Sequence, residues 1–217
     1  MFKVQVKLGS LNNGQKCRNP VFMRASGICF IKWLWFGSIC GWSNSKIKEQ
    51  IMKKIIILRG NSGSGKTTVA RALQKKFGYN TMMISQDEIR RNILWVKDGV
   101  DTKALPLMIE LMKYGYEHCD VVILEGIMYD EWYSPLFKTA NELYGMDIYA
   151  YYFDIPFEET VRRHNTRDKK QEFGEEDMRR WWREKDFSSV FNEKIITSDI
   201  DADSIVEMIY IDSANEG

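Results

Sequence analysis

The sequence is poor in cysteine, in net charge and in long apolar runs. Only four of its 217 residues are cysteine, no two of them form a Cys-x-x-Cys pair, and three (Cys17, Cys29 and Cys40) precede Met52. That scarcity argues against a disulfide framework and against a thiolate zinc site. The fourth, Cys119, adjoins an apolar run and reads as a buried thiol. No apolar stretch reaches the roughly 20 residues that a membrane-spanning helix needs, and there is no internal repeat or low-complexity tract. The net charge is only +1, but it is unevenly spread. Residues 1–51 hold eight Lys/Arg against one acid, and the rest of the chain holds 23 bases against 29 acids, a net of −6. An acidic body lacks the electrostatic footprint of a protein that grips extended nucleic acid.

What is present suffices for one well-cored domain: 217 residues, 44% of them hydrophobic. From Lys53 onward apolar runs alternate with helical patterns, the signature of strand–helix–strand units and a parallel sheet. Ile55–Leu58, Thr81–Ile84, Val121–Leu124, Ile148–Phe153 and Lys194–Thr197 read as five strands. Helices are expected over Lys66–Phe77, from Ser85 with Glu88 completing a capping box, and over Thr102–His118. Further helices are expected from Ser134-Pro135, from Pro156, after Gly174 and from about Asp201. The class is α/β.

One motif carries chemistry by itself. Gly60-Asn61-Ser62-Gly63-Ser64-Gly65-Lys66-Thr67 matches the Walker A pattern G-x-x-x-x-G-K-[ST] in full, between an expected strand and an expected helix. Glycines at 60, 63 and 65 let the backbone take positive φ and turn its N–H groups toward phosphate oxygens. The following helix points its partly positive end at the same anion. Lys66 supplies charge for the β- and γ-phosphates, and the Thr67 hydroxyl suits Mg²⁺. The whole loop with Thr68 is therefore the expected ATP site. A guanine-reading Asn-Lys-x-Asp, which a GTPase would carry, is missing.

Residues 53–211 resemble the small P-loop kinases grouped with phage polynucleotide kinase, chloramphenicol phosphotransferase, gluconate kinase and the zeta toxins. The likeness rests on the loop, on Ile84-Ser85-Gln86-Asp87-Glu88-Ile89-Arg90, and on Thr160–Phe173 with the following Gly174-Glu175-Glu176-Asp177. It implies a three-layer P-loop NTPase fold with a five-stranded parallel sheet and a helical lid, and a magnesium-dependent kinase. Asp87 stands just past a strand end, where α/β sheets build their sites. It is the candidate base for an attacking hydroxyl; the alternative is an acid placed in a first helical turn by the dipole. Arg90 either holds the acceptor or its phosphate, or is a solvated surface arginine. Glu125 ends the third strand at the place of a Walker B carboxylate, which holds Mg²⁺ through water; acceptor binding and a structural role are its other readings.

Arg163 and Arg167 fall in the stretch that resembles an arginine-bearing lid, where a guanidinium fits the charge on a transferring phosphoryl group. A solvated helix end is their alternative. Trp132, after Glu125, either stacks on an acceptor ring or plugs the loop. Glu175–Arg183 reads as an exposed helix with Glu175–Arg179 and Glu176–Arg180 pairs and one tryptophan packed inward; a nucleic-acid or aromatic site is the alternative.

The expected function is transfer of the γ-phosphate of ATP to a hydroxyl of a small molecule: an antibiotic, sugar, nucleoside or nucleotide-sugar. Two alternatives stay within the enzyme class, a nucleoside monophosphate kinase and a 5′-polynucleotide kinase. A third is a nucleotide-responsive or toxin-like protein that hydrolyses ATP slowly. Dependence on ATP points to the cytoplasm, and the oligomeric state has no sequence signal. Residues 1–51 form an N-terminal extension ahead of a domain at 52–217. Met52 opens directly into the first strand, so the extension is expected to be no native part of the protein. A secretory signal and a membrane-surface or regulatory segment are the other readings.

Overall fold

Four consecutive side chains, Ile55 to Leu58, are wholly removed from solvent. Full burial on both faces, at about 1.5–3 kcal/mol per large aliphatic side chain, makes this run the centre of the sheet. The computed structural model describes residues 53–166 and 174–214. The expectations for residues 1–51 and for Arg167 lie outside the described residues.

The central strand β1 (Lys54–Gly60) is flanked by β3 (Val121–Glu125) and β4 (Ile148–Phe153). Outside these lie β2 (Thr81–Ser85) and β5 (Lys194–Ile196), giving the order β2-β3-β1-β4-β5 with every pairing parallel. Alternation along β1 splits the core in two. Ile55 and Ile57 join Met108 and Met112 of α3 (Ala104–His118) with Leu136 and Phe137 of α4 (Asp130–Tyr144). Ile56 and Leu58 join Val69 and Leu73 of α1 (Lys66–Phe77) with Ile205 and Ile209 of α7 (Ala202–Ala214). The result is three layers, helix–sheet–helix, as expected.

The remaining helices are a single turn, α2 (Gln86–Glu88), which runs into a π-helical turn at Ile89–Ile93, then α5 (Phe157–Asn165) and α6 (Glu175–Arg180). Among the described residues no helix is long and apolar enough to cross a membrane.

Four local expectations need correction. The Ser85 capping box does not form: the hydroxyl donates instead to Glu125 Oε1 (2.5 Å), and Glu88 accepts from Asn92. Helix α4 starts at Asp130 rather than Ser134, with Asp130 and Glu131 in the dipole-favoured first turn and Pro135 inside the helix. Burial of Tyr133, Leu136 and Phe137 outweighs the backbone bond that the proline forgoes. Cys119 is half-buried rather than buried. Helix α6 keeps the Glu175–Arg179 pair (3.1 Å), but Arg180 pairs with Asp177, and both Trp181 and Trp182 lie beyond the helix, half-buried.

Candidate active site

In-register pairing aligns the carboxyl ends of three strands, since Glu125 of β3 stands opposite both Leu58 of β1 and Ser85 of β2. Everything that follows these ends shares one rim. The phosphate loop leaves β1 with φ of +135° at Gly60, +79° at Gly63 and +106° at Gly65, the left-handed values anticipated from the motif. At Gly60 the need is steric as well: a Cβ there would sit 2.7 Å from the Phe153 carbonyl oxygen. The buried Lys66 ammonium bends over the loop, donating to Asn61 O (2.7 Å) and Ser64 Oγ (3.0 Å). Thr68 is exposed in the first turn of α1.

Glu125 is buried and gathers two hydroxyls, Ser85 Oγ on one carboxylate oxygen and Thr67 Oγ1 (3.1 Å) on the other. A carboxylate and a threonine hydroxyl in contact at the loop form the oxygen set of a hard divalent cation, which takes one or two protein ligands beside substrate phosphates. The glycine turns, Lys66 and this pair therefore fit a magnesium–nucleotide complex.

Beside the loop lies a pocket of about 430 Å³ that runs from Ser62 to Asp87 and Arg90. Asp87 is held by Arg90 (2.9 Å) and, more loosely, by Arg91 (3.5 Å). The pocket is also lined by aromatic and basic side chains, Trp132, Tyr129, Trp181 and Arg183. The rings of Tyr129 and Trp132 meet edge-to-face at 4.8 Å, the Tyr129 hydroxyl donates to the Trp181 carbonyl, and Arg183 lies over the Tyr129 ring. Burial pushes the Tyr129 phenol up, with Arg183 pulling the other way. Behind Asp87, buried Gln86 braces the loop after β3, accepting from the amides of Ile127 and Met128 and donating to Asp98 and Tyr133.

A family model for the AAA domain matches residues 56–182. The chain belongs to the AAA domain family. A search of curated proteins finds no match. Among solved structures, the chain is similar to the APS kinase CysC of Mycobacterium tuberculosis in complex with AMPPNP and APS. That likeness has 16% identity and a TM-score of 0.52, over 73% of this chain and 96% of that one. It is also similar to the tunicamycin resistance protein of Deinococcus radiodurans, at 17% identity and a TM-score of 0.52, over 75% and 96%. These likenesses show the fold, that of the P-loop kinases.

Within this AAA domain the expected residues gather as follows. The loop, Thr67, Glu125, Asp87, Arg90 and Trp132 share the rim, the last three lining the pocket. Arg163 of α5 reaches the loop, where its Nη1 donates to Ser64 O (3.2 Å), and its Nε donates to Glu159 (2.7 Å). Arg162 and then Arg163 hold the Glu159 carboxyl down to about 2.

The Asn61 side chain takes a second part that the motif gave no hint of. It clamps the Arg183 backbone from both ends, donating to its carbonyl (2.7 Å) and accepting from its amide (3.1 Å). Fully buried Arg59 ties down the rest of that segment through Asp186 (2.8 Å) and Glu193 (3.0 Å), and also donates to the Met128 carbonyl in the loop after β3. Sequence reasoning gave no role to Gln86 or Tyr129, and it set Trp181 and Arg183 aside by preferring an exposed helix over an aromatic site. For the Arg59 anchor the available signal was an arginine closing a buried β-branched strand.

Proposed function

We propose that this protein is a magnesium-dependent kinase that moves the γ-phosphate of ATP to a hydroxyl of a small molecule. The observation that carries this reading is the shared rim, on which a phosphate loop, the Thr67–Glu125 pair and a pocket containing Asp87 open side by side. The loop amides and Lys66 hold the phosphates, and Thr67 and Glu125, the latter through water, hold the cation. Bound MgATP supplies the phosphoryl group and the charge that offsets its oxygens. Asp87 accepts the proton of the acceptor hydroxyl as that oxygen bonds to the γ-phosphorus. The bond from phosphorus to the β–γ bridging oxygen breaks, and its electron pair leaves with ADP. Arg163, already against the loop, and Arg167 supply guanidinium charge to the group in transit. Arg90 orients Asp87, and Trp132 bounds the acceptor.

The test is a γ-labelled ATP transfer screen over hydroxylated metabolites and antibiotics, with ATP affinity measured separately. Lys66→Ala abolishes turnover. Asp87→Asn retains ATP binding and loses about 10²–10⁴-fold in transfer, the usual contribution of a general base. Wild-type turnover in Asp87→Asn removes Asp87 from this role. Absence of magnesium-dependent affinity for ATP removes the kinase reading itself.

A further inference from the structure

The domain carries a net charge of −6, yet the pocket beside Asp87 is basic. Arg90, Arg91, Lys97, Arg180 and Arg183 line it, against two carboxylates. One of those, Asp98, is already engaged by Gln86, by the Tyr133 hydroxyl (2.7 Å) and by the Gly99 amide. The other, Asp87, is shared between Arg90 and Arg91. Arg183 has an aromatic face for a neighbour, 5.2 Å above the Tyr129 ring, and no ion pair among the described residues. Arg90 donates to Asp87 (2.9 Å) and also lines the pocket. Trp132 and Trp181 line the same pocket and bring apolar ring surface to it.

We propose that the acceptor is a mononucleotide-like anion, a reading that rests on the kinase function above. Its phosphate, or an equivalent compact dianion, is held by Arg90 and Arg183, its ring system packs against Trp132 and Trp181, and its free hydroxyl reaches Asp87. Guanidinium groups suit such an anion because their planar forks match its oxygens. Size favours a single nucleotide over the end of a chain: about 430 Å³ holds one ligand of drug size.

The experiment is calorimetric titration with the donor site saturated by Mg²⁺ and a non-hydrolysable ATP analogue. The probes are the four common 5′-mononucleotides, their nucleosides, ribose 5-phosphate and a short 5′-hydroxyl oligonucleotide. The best mononucleotide is expected to bind at least about tenfold tighter than its nucleoside and than ribose 5-phosphate, the worth of one charge-assisted contact. Arg183→Gln, at an exposed side chain, is expected to reduce that mononucleotide to the level of its nucleoside while affinity for the ATP analogue holds. A nucleoside that equals its mononucleotide overturns the anion, and ribose 5-phosphate that equals it overturns the ring. An oligonucleotide that binds tighter than any mononucleotide overturns the choice of a small acceptor. If the ATP analogue itself does not bind, the kinase reading fails and takes this proposal with it.

Discussion

Asn61 links the two halves of the rim through a single residue, because its side-chain amide satisfies both backbone groups of Arg183 while its main-chain carbonyl holds Lys66. Removing the side chain leaves a donor and an acceptor to find water, each worth about 1 kcal/mol. Asn61→Ala is therefore expected to lower stability by about 1–3 kcal/mol and to raise hydrogen exchange at the Arg183 amide on the order of tenfold or more. Unchanged exchange there would mean the clamp does not hold the segment. Gly60 makes a sharper case. A methyl there meets the Phe153 carbonyl of a fully paired strand, at a φ that L-residues rarely adopt. Gly145, with φ +54°, faces open space, and a methyl there would meet nothing within 4 Å. Gly60→Ala is expected to cost at least about 2 kcal/mol more than Gly145→Ala, the scale of added strain at such a position, read by urea denaturation. Equal costs would show that the loop relaxes around the methyl. The glycines were legible in the sequence because local chemistry dictates each of them. Arg183 was not: it reaches the pocket only through a return of the chain some 120 residues after Asn61.

At the scale of elements, Arg59 is where strand and segment meet. It is wholly buried at the end of β1, with its guanidinium on Glu193, Asp186 and the Met128 carbonyl. Burial raises the Glu193 carboxyl, and Arg59 draws it back only in part. Without Arg59 the carboxyl rises further and binds a proton in the folded state that the unfolded chain has released. A group with that asymmetry makes stability fall as pH rises. Arg59→Ala is expected to cost about 3–5 kcal/mol at pH 8, as removal of one partner of a buried pair does, and measurably less at pH 5. Urea denaturation at the two values checks it, and equal losses would acquit Glu193. The strands themselves were legible, since a parallel strand covered on both faces has to be apolar throughout. The start of α4 and the fate of Ser85 were not. Both were settled by partners elsewhere in the chain, the packing of Tyr133 in one case and Glu125 in the other.

For the whole molecule, fold class followed from the alternation of strand and helix patterns, whereas the basic pocket was hidden by averaging, since a −6 total says nothing of where five cations converge. Averages also conceal what the core does to tyrosine. Of ten tyrosines, Tyr133, Tyr144 and Tyr152 are buried in the layers around the sheet, and burial raises each phenol, that of Tyr152 to about 12. In the unfolded chain each ionises near 10. Between those values the unfolded state has lost protons that the folded state keeps, so the stabilisation is complete below pH 10 and is lost as pH rises from 10 toward 12. At pH 11 the loss is about 1.4 kcal/mol for each phenol, on the order of 4 kcal/mol for the three, a large share of a typical domain's 5–15 kcal/mol. Two measurements at that pH test it together. Phenolate absorbance at 295 nm should fall short of the urea-unfolded value by at least three tyrosines while circular dichroism stays native, and the urea midpoint should lie well below its value at pH 9. Full ionisation of all ten in a chain with native dichroism would show that the sheet does not seal these side chains from water.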